Sequence, residues 1–249
     1  MKLWGVHRFH CIKMEMIMDT GGTRDGGYDI GSRVDVPYLL HCGVTKLDYI
    51  FLSHAHEDHV AGAGGILKNL PVGAIITARE GREEYKKSMR ISQTELSKTT
   101  MAEGREGDVF DVDGVKVEVL YAPAGEKGGT GNEVSNVYRV SYGKASFLFT
   151  GDLVAEHEKK ILKQGIDVRS TVLKVGHHGS NTSTTDEFLA AVAPTWGVFC
   201  VGKDNSFGHP KPEILEKFRQ EGIAIHRTDE EGAVVFYTDG KKMRVETYR

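Results

Sequence analysis

The chain has 249 residues, 39% of them apolar and 27% charged, with a formal net charge of −3. That composition excludes a disordered chain, and so slight a charge excludes a global field that draws in nucleic acid, so phosphate binding must come from a local patch or a metal. Cys11, Cys42 and Cys200 are far apart and in no CxxC pair, which argues against a disulfide framework or a thiolate zinc site and leaves them as small hydrophobes.

Residues 1–18 mix basic residues with His7, His10 and Glu15 and lack an apolar core of signal-peptide length. No apolar run is long enough to span a bilayer. As it stands the chain therefore reads as cytoplasmic, with no membrane segment. Its length and patterning fit one layered α/β domain over 1–249, with no linker and no internal repeat.

Residues 47–52 (LDYIFL) predict a buried strand that ends in Ser53-His54-Ala55-His56-Glu57-Asp58-His59, and 63–69 predict a short helix after it. Residues 78–108, the most polar stretch, read as a helix and a surface loop near the site mouth. Residues 109–120 alternate apolar and polar around Asp113-Gly114, a hairpin signal. The glycine-rich stretch 122–135 reads as a flexible connection. Residues 145–149 (ASFLF) lead into Thr150-Gly151-Asp152, and 156–164 predict a helix stopped by Gly165. Residues 171–175 lead into Gly176-His177-His178-Gly179-Ser180, and 185–192 predict a helix that stops before Pro194. Residues 197–201 lead into a loop ending Gly208-His209-Pro210, and 212–221 form a helix stopped by Gly222. A last hairpin is expected around Asp239-Gly240.

His54-x-His56-x-Asp58-His59 is the strongest chemical signal. Two histidines at i and i+2 on a strand end can turn both rings toward one ion. Asp58 and His59, past the bend, can face a second. Zinc favours imidazole nitrogen and carboxylate oxygen, and catalytic sites keep a position open for water. A polar surface loop is the plain alternative, but later strands deliver matching ligands to their own ends. Asp152 follows an apolar strand, where its carboxylate can bridge two ions. The pair His177-His178 is odd as packing, since each buried ring needs hydrogen-bond partners. One reads as a ligand and the other as a substrate contact or proton carrier. His209 is either functional or shapes its loop. His7, His10, His41, His157 and His226 read as surface or structural residues.

HxHxDH, a later Gly-Asp and a later histidine together resemble the metallo-β-lactamase superfamily. The ordered series Asp19-Thr20-Gly21-Gly22, Pro37-Tyr38-Leu39-Leu40, the SHAHEDHVAG segment, Phe149-Thr150-Gly151-Asp152, Leu173-Lys174-Val175-Gly176-His177-His178-Gly179-Ser180, Gly208-His209-Pro210 and His226-Arg227-Thr228-Asp229 is similar to the hydrolase domain of ComEC-type competence proteins. Those proteins form the bacterial DNA-uptake channel, and free-standing relatives share the series. The resemblance implies a four-layer αββα sandwich with two divalent metal ions, zinc or manganese, in a cleft at the strand ends. It implies His54, His56 and Asp152 at one ion, and Asp58, His59, Asp152 and His178 at the other, with His177 near a substrate phosphate.

Two departures from the family pattern stand out. No histidine lies between His59 and His157. Asn136 stands nearest the expected place, so the first site is ligand-poor and draws on Asn136 or water; an oxygen-rich site also suits manganese. The opening Asp-x-Gly-x-Gly-Asp is absent from residues 1–16, so the first strand and hairpin are expected to be missing or atypical.

The function expected is hydrolysis of a phosphodiester by a metal-activated hydroxide. Asp58 orients that hydroxide, and His177, Asn136 and His209 complete the catalytic set. The resemblance suggests DNA, single-stranded, as substrate. Lys174, Lys203 and Lys211 flank the site loops and either hold phosphates or are simply solvated. No aromatic stacking stripe of the kind single-strand binders show is visible. Two rivals stand beside this reading: a small-molecule hydrolase acting on a phosphodiester, lactone or β-lactam, and a non-catalytic module that binds nucleic acid or a partner. As a fragment of a ComEC-type protein, the domain would associate with a membrane channel on the extracytoplasmic face. Nothing in the sequence sets an oligomeric state.

Overall fold

Short runs of β-branched and aromatic residues become strands because their side chains pack on a pleated, buried surface. The computed structural model describes residues 7–10, 15–23, 27–123 and 131–249. Its strands fall into two compact units.

The first unit holds the described residues between 7 and 104, with Pro123 and 131–134. Its five-stranded sheet runs β1 (His7–His10), β2 (Glu15–Met18), β3 (Leu47–Phe51), β4 (Val72–Thr77) and β5 (Thr100–Glu103) in that spatial order. Strands β2 to β5 are parallel. Strand β1 pairs antiparallel with β2, His7 opposite Met18 and His10 opposite Glu15. The opening hairpin, expected to be missing or atypical, is therefore present without the Asp-x-Gly-x-Gly-Asp residues, because ladder pairing is made by backbone groups. Residues 11–14, Cys11 among them, lie outside the described residues.

The crossover from β3 to β4 is the helix Glu57–Asn69. Val60, Ala63 and Ile66 on this helix pack with Ile17, Ile50, Leu52 and Ile75 in the unit's core. The helix starts at Glu57 rather than at residue 63, so Asp58 and His59 lie in its first turn. Gly62, Gly64 and Gly65, poor helix formers, hide its periodicity. Gly62 is there for close approach: a Cβ on it would lie 2.2 Å from the Thr20 carbonyl oxygen and 2.9 Å from Asp35 Oδ2. Thr20 straps this helix, donating from both N and Oγ1 to the His59 carbonyl at 2.6 and 3.1 Å.

Asp35 ends a π-helical turn, Gly31–Asp35, which runs into the helix Val36–His41. Its side chain is buried, and neither carboxylate oxygen meets a hydrogen-bond partner among the described residues. Burial, and then the charge of Asp29, pushes its pKa well above the usual carboxylate range. Residues 78–108 hold two helices, Arg82–Ser88 and Gln93–Leu96, and strand β5, in place of one helix and a loop.

The second unit, Arg105–Ala122 with Ser135–Arg249, holds a seven-stranded sheet. Its strands are β6 (Val109–Val112), β7 (Val115–Tyr121), β8 (Val137–Tyr142), β9 (Ala145–Phe149), β10 (Val172–Lys174), β11 (Trp196–Phe199) and β12 (Ala224–Arg227), lying in the order β12-β11-β10-β9-β8-β7-β6. Strands β6 to β9 are antiparallel and β9 to β12 parallel. The helices Ala155–Lys163, Asp186–Val192 and Pro212–Gln220 lie where their sequence patterns put them. They bring Ile161, Phe188, Ile214 and Phe218 into one core with Leu148, Leu173 and Phe199. Strands β13 (Ala233–Thr238) and β14 (Met243–Tyr248) make the expected last hairpin. No helix among the described residues is long and apolar enough to cross a membrane.

Parallel strands end at a common edge. In the first unit that edge gathers the residues after β2, β3 and β4; in the second, those after β9, β10 and β11. Ligand-binding residues collect at the carboxyl ends of parallel strands for this reason.

Asp35→Asn keeps the shape of the buried side chain and removes its charge. An acid whose folded pKa is raised contributes stability that is complete below its unfolded pKa of about 3.9 and is lost as pH rises through the folded pKa. Asp35→Asn should therefore melt above the parent at about pH 8, with the gap closing toward about pH 4. Equal melting temperatures at both pH values would contradict this account of Asp35.

Candidate metal centre

In the first unit, Asp19 follows β2, the segment Ser53 to His59 follows β3, and Glu80 follows β4. Asp19 is buried. Its Oδ1 accepts from Ser53 N at 2.8 Å, and its Oδ2 lies 2.9 Å from Ser53 Oγ and 2.8 Å from His59 Nδ1. Burial opposes ionisation of Asp19. The attraction and hydrogen bond of His59, the Ser53 N–H and the charge of His54 outweigh it, and hold the carboxyl well below the usual carboxylate range.

An ionised carboxylate only accepts. His59 Nδ1–H and the Ser53 hydroxyl hydrogen therefore both point at Asp19. Ser53 Oγ, its hydrogen already donated, accepts from His54 Nδ1 at 3.0 Å. Both rings thus carry their proton on Nδ1 and present Nε2 as a bare donor atom for a metal.

His54 Nε2 stands 3.1 Å from His56 Nδ1. Two nitrogens bound tetrahedrally to one zinc ion, each at about 2.0–2.1 Å, stand about 3.3 Å apart, so this spacing fits a shared ion. His56 is backed by Gly131, where a Cβ would lie 2.2 Å from its Nε2. Glu80 holds that contact by accepting from Ala55 N at 2.5 Å and Gly131 N at 2.7 Å. Burial raises the Glu80 pKa, with those two N–H groups, Tyr85 and His56 acting against it. Asp58 and His59 offer ligand atoms within 4.8 Å of each other. The neighbouring acid, Glu57, pairs instead with Arg90 at 3.0 Å.

In the second unit, Asp152, the histidine pair and His209 follow β9, β10 and β11. Oδ1 of buried Asp152 lies 3.4 Å from His178 Nε2, and its Oδ2 lies 3.7 Å from His177 Nε2. His178 Nδ1 lies 2.8 Å from the Cys200 carbonyl oxygen. A carbonyl only accepts, so this Nδ1 carries the proton and Nε2 faces Asp152 bare. His177 Nδ1 bonds Thr182 Oγ1 at 2.8 Å, and its ring is more open than that of His178. Both histidines adopt positive φ, 45° and 56°, a rare conformation that turns consecutive rings toward one carboxylate.

The His209 ring centroid lies 5.9 Å from that of His177. Burial, then repulsion from His177 and Lys211, pushes the His209 pKa below the ordinary imidazole value. Asn136 is fully buried beside β8 and donates to Tyr138 Oη at 3.1 Å, while its neighbour Ser135 accepts from Asp152 N at 3.3 Å. Lys174 is not a solvated lysine: it is buried and donates to the Gly151 carbonyl at 3.1 Å. His157 pairs with Tyr121 at 2.9 Å and His226 with Glu231 at 2.7 Å, structural partners for both. His41 is exposed, and the side chains of His7 and His10 lie outside the described residues.

The donor set in each unit, imidazole nitrogens oriented by neighbours and set beside carboxylate oxygens, fits a divalent metal ion. Sequence reasoning assigned no role to Asp19, Ser53, Glu80 or the Cys200 carbonyl. The Asp-Thr-Gly-Gly run after an apolar strand is the signal that finds Asp19. Nothing local marks Glu80, and a backbone carbonyl has no sequence signature.

Residues 15–203 match the family model for the metallo-beta-lactamase superfamily, and the chain belongs to that superfamily, whose fold binds divalent metal ions and generally serves metal-dependent hydrolysis. ComE operon protein 3 of Bacillus subtilis is 29% identical over 231 residues, covering 89% of this chain and 30% of its own length. Competence protein ComA of Neisseria gonorrhoeae is 37% identical over 202 residues, covering 81% of this chain and 27% of its own length. These relatives bear out the resemblance to ComEC-type competence proteins, and the chain spans less than a third of their length. Among solved structures, the metallo-beta-lactamase fold protein YhfI of Bacillus subtilis shares the fold with a TM-score of 0.59 at 12% identity, covering 90% of this chain and 88% of that one.

Replacing Asp19 by Asn removes the charge that anchors His59. Zinc affinity should fall about 10- to 100-fold, read by competition with a chromogenic chelator, with the far-UV circular dichroism unchanged. Unaltered affinity would contradict the anchoring role.

Proposed function

We propose that the chain is a metal-dependent phosphodiesterase that cleaves DNA, its two units acting as one domain over residues 1–249. The observation that carries the proposal is the anchoring of His59 Nδ1 by Asp19 and of His178 Nδ1 by the Cys200 carbonyl, which leaves Nε2 of each ring bare for a metal. The relatives named as competence proteins support DNA as the substrate.

In this reading His54, His56 and Asp152 hold one ion, and Asp58, His59, Asp152 and His178 the other, zinc or manganese. Such ions lower the pKa of bound water and neutralise charge on phosphoryl oxygens. Asp58 orients the attacking water. His177, its ring held by Thr182 and open on one side, contacts the substrate phosphate. His209, kept neutral at neutral pH by its surroundings, receives or passes a proton. Asn136 serves where the superfamily's further histidine is missing. In a protein as long as its relatives, the domain would work beside a DNA channel on the extracytoplasmic face of the membrane; free-standing, it would work in the cytoplasm.

The test is hydrolysis of single-stranded DNA, duplex DNA, bis-(p-nitrophenyl) phosphate and a β-lactam, with zinc, with manganese and after chelation. DNA cleavage that needs metal is expected. A folded Asp58→Ala protein with its metal content checked should lose at least about 100-fold in turnover. Full activity of that variant, or hydrolysis of the β-lactam alone, would overturn the proposal.

A further inference from the structure

The second unit carries a row of rings that leads from His177 to solvent. The His177 and His209 rings meet edge-on at 64° with centroids 5.9 Å apart. The His209 and Phe207 rings are nearly parallel, 16° apart in plane, with centroids again 5.9 Å apart. Phe207 has 40% of its surface exposed. This row is invisible in the sequence because its rings come from two separate loops.

The loop that displays Phe207 is closed on itself. Asn205 Oδ1 accepts from His209 N at 3.0 Å, and Asn205 Nδ2 donates to the carbonyls of His209 and Gly202 at 2.7 and 3.2 Å. Lys211 Nζ donates to the Phe207 carbonyl at 2.9 Å. A single exposed aromatic ring is ordinary on a protein surface. A ring held out by a fixed loop, backed by a parallel imidazole and accompanied by the cations of Lys203 and Lys211, has the parts of a stacking platform beside a polyanion.

We infer that Phe207 stacks on a base of single-stranded nucleic acid whose backbone passes His177. The inference rests on the phosphodiesterase reading and deepens it by naming a residue that contacts the bases of the substrate. Every base has a π-face, so the platform is sequence-tolerant. Inside a duplex each base already stacks on its neighbours and is paired, so only an unpaired strand offers Phe207 a free face. Asp204, exposed in the same loop, adds a negative charge next to Lys203 in the chain and limits how much of the attraction is purely electrostatic.

The test uses the metal-loaded full chain, the parent beside Phe207→Ala and Phe207→Trp, on a labelled single strand and on the same strand carrying abasic sites. Binding is read by anisotropy and cleavage by KM and kcat. Alanine should weaken binding and raise KM on the intact strand about 5- to 150-fold, with kcat kept, and should change nothing on the abasic strand. Tryptophan should restore affinity, with its fluorescence quenched by the bound strand. Equal affinity of parent and Phe207→Ala for the intact strand, or an equal loss on the abasic strand, would overturn the stacking role while leaving phosphodiesterase activity standing. A parent that neither binds nor cleaves any DNA would refute the phosphodiesterase reading and this inference together.

Discussion

The buried carboxylate of Asp19 sets the proton positions on which the first unit's chemistry depends. One of its oxygens meets both Ser53 Oγ and His59 Nδ1. Through Ser53 the same charge reaches His54. Isolated burial of that charge would be costly, yet three neighbours, His59, Ser53 and His54, more than offset it. The result is two imidazoles in one tautomer before any ligand arrives. Across the second sheet edge, the Cys200 carbonyl does for His178 what Asp19 does for His59, with a fixed dipole in place of a charge.

Orientation of these rings needs rigid supports, and the fold supplies them by close packing around the helix that bears Asp58 and His59. Thr20, one residue after Asp19, is hydrogen-bonded to the His59 carbonyl, which ties the anchoring segment to the helix. Gly62 lets the same helix lie against Thr20 and Asp35. That tight contact encloses Asp35 away from water, and its raised pKa is the local cost of the arrangement.

Much of this was legible in the residues, for a physical reason. The proposed ligands His54, His56, Asp58 and His59 lie within six residues, and Asp152 and His177-His178 each follow an apolar run, so local pattern points to them. The strands at 145–149 and 171–175 are short apolar stretches bounded by glycine and aspartate, and they appear as β9 and β10. What was hidden depends on distance along the chain. Asp19 acts on partners 34 and 40 residues away, and Glu80 joins residues 25 positions before it and 51 after it. The opening hairpin was hidden because backbone pairing leaves little trace in side-chain identity, and the early start of the helix Glu57–Asn69 because glycines chosen for packing erase its apolar stripe.

The central claim is that these pre-oriented histidines and carboxylates hold a pair of metal ions, and metal content tests it most directly. Elemental analysis of the protein purified without added chelator, with its concentration fixed by amino-acid analysis, should find about two divalent ions per chain. A folded chain that retains no divalent ion when zinc and manganese are both supplied would contradict it.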